Sequence, residues 1–245
     1  MSAGERLDRL DAVRGAAMLW MAGFHFCFDL NLFGLWHPRQ FFTADPIWTV
    51  QRVCIVSLFV FCAGLSQAVA LESARSWPQL DRRFWRRWAQ VAGCALLVSA
   101  GSAWMFPRSW ISFGVLHGLA VMLILARLAA PLGRWLWPLG VLCLMLPQWV
   151  QLPALDGRAG QWTGLITHKP VTEDFAPVLP WLAVMIWGLA AGHWLLRRRR
   201  DALAGPLPSA LRPLAVLGRW SLSFYMVHQP VLIGSLMAGR QLGLW

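Results

Sequence analysis

Within residues 11–31, DAVRGAAMLWMAGFHFCFDLN, a histidine and an aspartate stand four positions apart in an otherwise apolar run. On a helix, a carboxylate at i+4 can hold an imidazole in one tautomer and raise its basicity, as a general base requires. At about 100° per residue, Asp11, Arg14, His25 and Asp29 fall within an arc of roughly 60°, with Asn31 on the far side. One face is therefore polar from end to end, and the rest is Leu, Met, Phe, Trp and Ala. Ionisable groups in hydrocarbon are costly, so this face needs a bundle interior or a water-filled cavity. Proton transfer to or from a substrate in that cavity is the chemistry these residues could perform. The structural alternative for each histidine is a plain interhelical hydrogen bond.

Other polar groups lie at comparable depth. With a rise of ~1.5 Å per residue, His25 sits about 15 Å from the inner membrane face and Asp29 about 21 Å. His117 lies roughly 9 Å below the outer surface, and His228 roughly 12 Å above the inner one. Tyr225 and His228 share a face with Ser221 and Ser235, and Pro230 kinks that helix. Gly114 and Gly118 flank His117 and permit close helix approach. Arg52 has two readings, a counter-ion for Asp29 or a side chain snorkelling outward. His37 lies in the first outer loop, where it could face the mouth of the same cavity. His193, beside Arg197, reads as interfacial. Neither Ser nor Cys occupies an activated-nucleophile context, and no metal-ligand spacing occurs.

The elements that must position these groups follow from composition. Of 245 residues, 58% are hydrophobic and 13% charged, about half the charged share of a soluble domain. Mean hydropathy is +0.51. The chain therefore reads as all-α: a polytopic membrane bundle of about seven transmembrane helices forming one domain, 1–245. Runs long enough to cross ~30 Å of hydrocarbon fall at 12–33, 47–71, 88–106, 111–130, 134–150, 178–196 and 214–238. Tryptophans such as Trp48, Trp88, Trp110 and Trp220 mark span ends, as an interfacial belt requires. Sixteen of the 22 basic residues fall on the N-terminal side of the membrane and six on the other. That bias predicts a cytoplasmic N-terminus. It also accounts for the net charge of +11 without nucleic acid. The arginine run 197–200 reads as a translocation stop or a phosphate site. The outer loop 151–177 is long enough to be a lid or binding element. The five cysteines sit in apolar runs and act as small hydrophobes.

RLDRLDAVRGAAMLWMAGFHFCFDL at 6–30 resembles the first helix of the heparan-alpha-glucosaminide N-acetyltransferase catalytic-domain family, bacterial branch, within the transmembrane acyltransferase superfamily. SLFVFCAGLSQA (57–68), SFGVLHGLAV (112–121), LPWLAVMIWGLAAG (179–192) and LGRWSLSFYMVHQPVL (217–232) agree in order. The resemblance implies an inner-membrane acyltransferase that takes acyl-CoA, in the first instance acetyl-CoA, from the cytoplasm. The acyl group would pass to a glycan or other acceptor outside, with no metal. In an acyltransferase reading His25, Asp29, His117 and His228 would be catalytic, and Asp11, Arg14, Arg52, His37, Tyr225 and Gln229 substrate- or cofactor-binding. Arg14, Arg82, Arg83, Arg86 and Arg87 would suit CoA phosphates. In the lysosomal branch the catalytic histidine follows the first helix, so His25 and His37 both stand as the base. Homo-oligomerisation is left open. Two other classes use the same residue types: a proton-coupled transporter, and a bis-histidine haem or quinone protein.

Overall fold

The computed structural model describes residues 7–72 and 81–244, and these are helical with no strand among them. The long helices are α1 (Asp8–Leu32), α2 (Pro46–Glu72), α3 (Arg82–Met105), α4 (Val115–Ala129), α5 (Leu136–Trp149) and α6 (Val178–Arg198). The short helices α7 (Asp201–Ala204) and α8 (Arg212–Arg219) then precede α9 (Ser221–Gln241). Four stretches are long and apolar enough to cross a membrane: α2, α3, Val115–Trp149 and α6. The third joins α4 to α5 through a 3₁₀ turn in which Gly133, at φ 56°, leaves the helical path. α1 and α9 have the length, with 25 and 21 residues. They are less apolar because Arg14, His25, Asp29, His228 and Gln229 populate them.

The last predicted span, 214–238, is two helices. α8 ends at Arg219, and Trp220 turns the chain, its N–H donating to the Leu217 and Val216 carbonyls. The fourth helix starts at Val115 rather than 111. Arg6 and Arg75, both counted among the basic residues of the N-terminal side, lie outside the described residues.

The chain divides into two compact units. The first holds residues 60–200: the second half of α2 and α3 to α6. Its core is Leu116, Met122, Met185, Ile186 and Leu189, all buried. Here α2 and α6 touch backbone to backbone. A Cβ on Gly64 would stand 2.1 Å from the Met185 carbonyl oxygen, and one on Gly188 2.3 Å from that of Phe61. Asp81 caps α3 by accepting the Phe84 N–H at 2.8 Å.

The other unit holds residues 5–59 and 201–245, of which α1, the first half of α2 and α7 to α9 are helical. α1 packs on α8 and α9. At the first crossing a Cβ on Gly15 would meet the Leu214 carbonyl oxygen at 1.9 Å, and one on Gly218 the Asp11 carbonyl oxygen at 1.8 Å. Only a residue without a side chain fits at either point, the small-residue rule of membrane helix pairs. Arg219 fastens the same end, donating to Asp8 at 2.8 Å. This seam fixes the rotation of α1 relative to α8 and thereby aims the polar face of α1.

Candidate active site

α9 presents two consecutive residues, His228 and Gln229, to the histidine and aspartate of α1. His228 Nδ1 lies 2.7 Å from the Tyr225 carbonyl oxygen. A carbonyl only accepts, so Nδ1 carries the proton, and in the uncharged ring Nε2 is a lone pair. That lone pair lies 2.8 Å from His25 Nδ1, which must be the donor. The proton order is thus fixed along the chain from His25 to the Tyr225 carbonyl. It leaves His25 Nε2 as an acceptor with no hydrogen-bond partner among the described residues. The rings are nearly parallel, with centroids 5.1 Å apart. Phe24 packs edge-on to His25, Phe224 stacks on His228, and the Tyr225 ring, stacked on Phe59, meets His228 edge-on. An aromatic sleeve of this kind limits water around the pair.

Asp29 is fully buried and takes a different partner from the one its spacing suggests. Gln229 Nε2 donates to both carboxylate oxygens, at 2.9 and 3.1 Å. The expected Asp29 support of His25 is therefore replaced by His228 support. Each member of the α1 pair is held across the helix seam rather than along α1. Gln229 Oε1 is left buried without a partner. Arg52 is exposed, and no ion pair joins it to Asp29, whose carboxylate is taken by Gln229. His37 is exposed in the loop after α1.

At the N-terminal end of the same face, Arg14 donates to Asp11 at 2.8 Å and to the Gly218 carbonyl at 3.3 Å. Arg219 also approaches Asp11, at 3.7 Å. This network ties α1 to α8, so Arg14 and Asp11 have structural partners as well as a place on the polar face.

His117 belongs to the first unit. Gly114 N–H donates to its Nδ1 at 3.2 Å, which puts the ring proton on Nε2, 3.1 Å from Ser99 Oγ. Ser99 donates onward to the Ile111 carbonyl at 2.6 Å. One ring nitrogen thus closes the α4 N-terminus and the other ties it to Ser99 of α3; the next N–H of α4, that of Val115, is taken by Asp174 at 2.8 Å. Sequence reasoning missed Ser99, the Tyr225 carbonyl and the Gly15/Gly218 seam. Small residues on the α1 and α8 faces were the available signal for the last. In the same unit Arg82, Arg83 and Arg86 are exposed at the start of α3, whereas Arg87 donates to Gln90. No cluster of three metal-ligating side chains occurs among the described residues.

Membrane-length apolar helices define an integral membrane protein, and two further helices that break the apolar pattern bring together a hydrogen-bonded histidine pair. The chain belongs to the heparan-alpha-glucosaminide N-acetyltransferase catalytic-domain family, whose profile matches residues 6–230. That makes it a membrane protein of a transferase family. The match takes in both units, from the first turn of α1 through His228 and Gln229. No curated protein and no solved structure matches the chain.

Proposed function

We propose that the protein is an acyl-CoA-dependent membrane acyltransferase that moves an acetyl group from cytoplasmic acetyl-CoA to a glycan hydroxyl or amine outside the membrane. The observation that carries this reading is the free Nε2 lone pair of His25, backed by His228 and the Tyr225 carbonyl. As the acceptor oxygen or nitrogen bonds to the thioester carbonyl carbon, its proton passes to His25 Nε2. The C–S bond breaks, and the proton is returned to the departing CoA thiolate. His228 stabilises the transient imidazolium by accepting from Nδ1, as an orienting partner does for a general base. The same lone pair is available to take the acyl group itself, a two-step route. His117, with one nitrogen in a helix cap and the other on Ser99, supports the fold of α4.

In this reading seven spans cross the bilayer: α1, α2, α3, α4, α5, α6 and α9, with the chain crossing twice between Val115 and Trp149. The N-terminus faces the cytoplasm of a bacterial inner membrane, and the chain works as a single domain. Exposed arginines at the start of α3 offer donors to CoA phosphates, and His37 lies at the outer mouth. The haem alternative predicts a Soret band from the purified protein, and a colourless preparation removes it.

The test is acetyl transfer by purified protein from labelled acetyl-CoA to an oligosaccharide acceptor, followed as free CoA and labelled glycan. Labelled glycan formed by wild type supports the proposal. Uptake driven by a pH gradient without any CoA requirement would favour the transporter instead.

A further inference from the structure

The ends of α2 and α6 enclose an open pocket of about 480 Å³ within the first unit. Ala68, Leu71, Pro131 and Leu196 give it an apolar wall, and His193 and Arg197 supply the polar rim. Glu72 also lines it, but Arg200 donates to that carboxylate at 2.9 Å and neutralises it. Arg197, Arg198 and Arg199 are exposed and have no ion-pair partner among the described residues. The local charge is therefore strongly positive.

A translocation stop needs the charges but no pocket beside them. Inorganic phosphate would satisfy Arg197 and leave the apolar wall wet. A neutral lipid would cover the wall and leave the arginines unanswered. One ligand chemistry meets both demands, an anion carried on an apolar tail. A volume of this size falls within the range of small-ligand sites. Basic pockets between membrane helices on the positively charged side suit lipid headgroups, and a guanidinium can hold a phosphate through two parallel hydrogen bonds.

We propose that this pocket seats one anionic phospholipid, with its phosphate on Arg197 and His193 and the upper part of an acyl chain along Ala68, Leu71 and Leu196. The site is independent of the histidine pair, so it stands or falls separately from the transferase reading.

Native mass spectrometry of the detergent-purified full chain tests it, with phosphatidylglycerol, phosphatidylcholine, inorganic phosphate and CoA as probes. Wild type is expected to hold one phosphatidylglycerol at least about fivefold more tightly than phosphatidylcholine, the scale of one basic contact. Arg197→Gln should remove that preference, Arg197→Lys should keep part of it, and Arg199→Gln, outside the pocket, should leave it intact. Melting curves confirm that each variant is folded, and the Lys variant carries the comparison if Arg197→Gln is not. Equal retention of both lipids would overturn the proposal, as would an equal loss in Arg199→Gln, which points to diffuse charge. Displacement of the lipid by millimolar CoA or inorganic phosphate would overturn it too, assigning the rim to a soluble phosphate ligand.

Discussion

His25 has one nitrogen left for chemistry, because Nδ1 is spent on His228 and His228 is in turn anchored to the Tyr225 carbonyl. Removing the middle member should free the ring without removing the base. His228→Ala is expected to lower kcat by about 10- to 100-fold, the size of effect of an orienting partner, with KM little changed. His228→Gln, whose carbonyl can still accept from Nδ1, should recover part of it; steady-state kinetics on both variants check this. A second titratable residue lies outside the membrane segments. Asp156 accepts the Thr167 hydroxyl at 2.6 Å and its N–H at 2.7 Å, which holds its carboxyl below the ordinary aspartate range. A depressed folded pKa means the clamp is present at neutral pH and is lost as pH falls through that lowered value. Hydrogen exchange should therefore show the Thr167 amide protected near neutrality and losing protection only in strong acid. Loss of protection near pH 6 would contradict this. The level match of His25 and His228 was legible in the sequence, since helical rise alone sets depth. The Asp29–Gln229 pairing was not, because it depends on how far α1 and α9 are rotated about their own axes.

At the scale of the element, that rotation is set by backbone contact. A methyl at Gly218 would overlap the Asp11 carbonyl, so Gly218→Ala must separate α1 from α8 and turn the polar face. Thermal unfolding in detergent should show a loss of about 1–3 kcal/mol or more, the usual range for overpacking. An unchanged midpoint would mean that α1 and α8 do not meet there. The start of α4 gives a contrasting case. His117→Ala removes a cap and should cost about 0.5–2 kcal/mol, while turnover per folded molecule persists; melting and activity measured together separate the two. The sequence placed α2, α5 and α6 to within two residues, whereas α3 starts six residues before the expected 88, at Arg82, because its arginine-rich first turns are helical and capped by Asp81. It overran at 111–114, where Ile111 and Phe113 are apolar yet belong to a turn tied to the outer loop through Glu173 N–H and the Ser109 carbonyl. It merged α8 with α9 because Trp220 is no helix breaker by type. The close approach of Gly218 to α1 lies two residues before the break.

For the molecule as a whole, composition and arginine placement were enough to read a helical membrane protein, and the family match agrees with that class. Neither could say which groups the histidines would touch, since partners across helices are a property of packing. We propose that His25 Nε2 serves to move an acyl group across the bilayer, and that proposal joins the scales. The most direct measurement is labelled acetyl transfer in proteoliposomes, with acetyl-CoA supplied on the Arg-rich side and an oligosaccharide on the other. Wild type should label the acceptor on the far side, and His25→Ala, folded and inserted equally well, should slow this by about 10²- to 10⁴-fold, the usual contribution of a general base. Equal labelling by the two proteins, or equal slow release of free CoA with no labelled acceptor, would contradict the assignment.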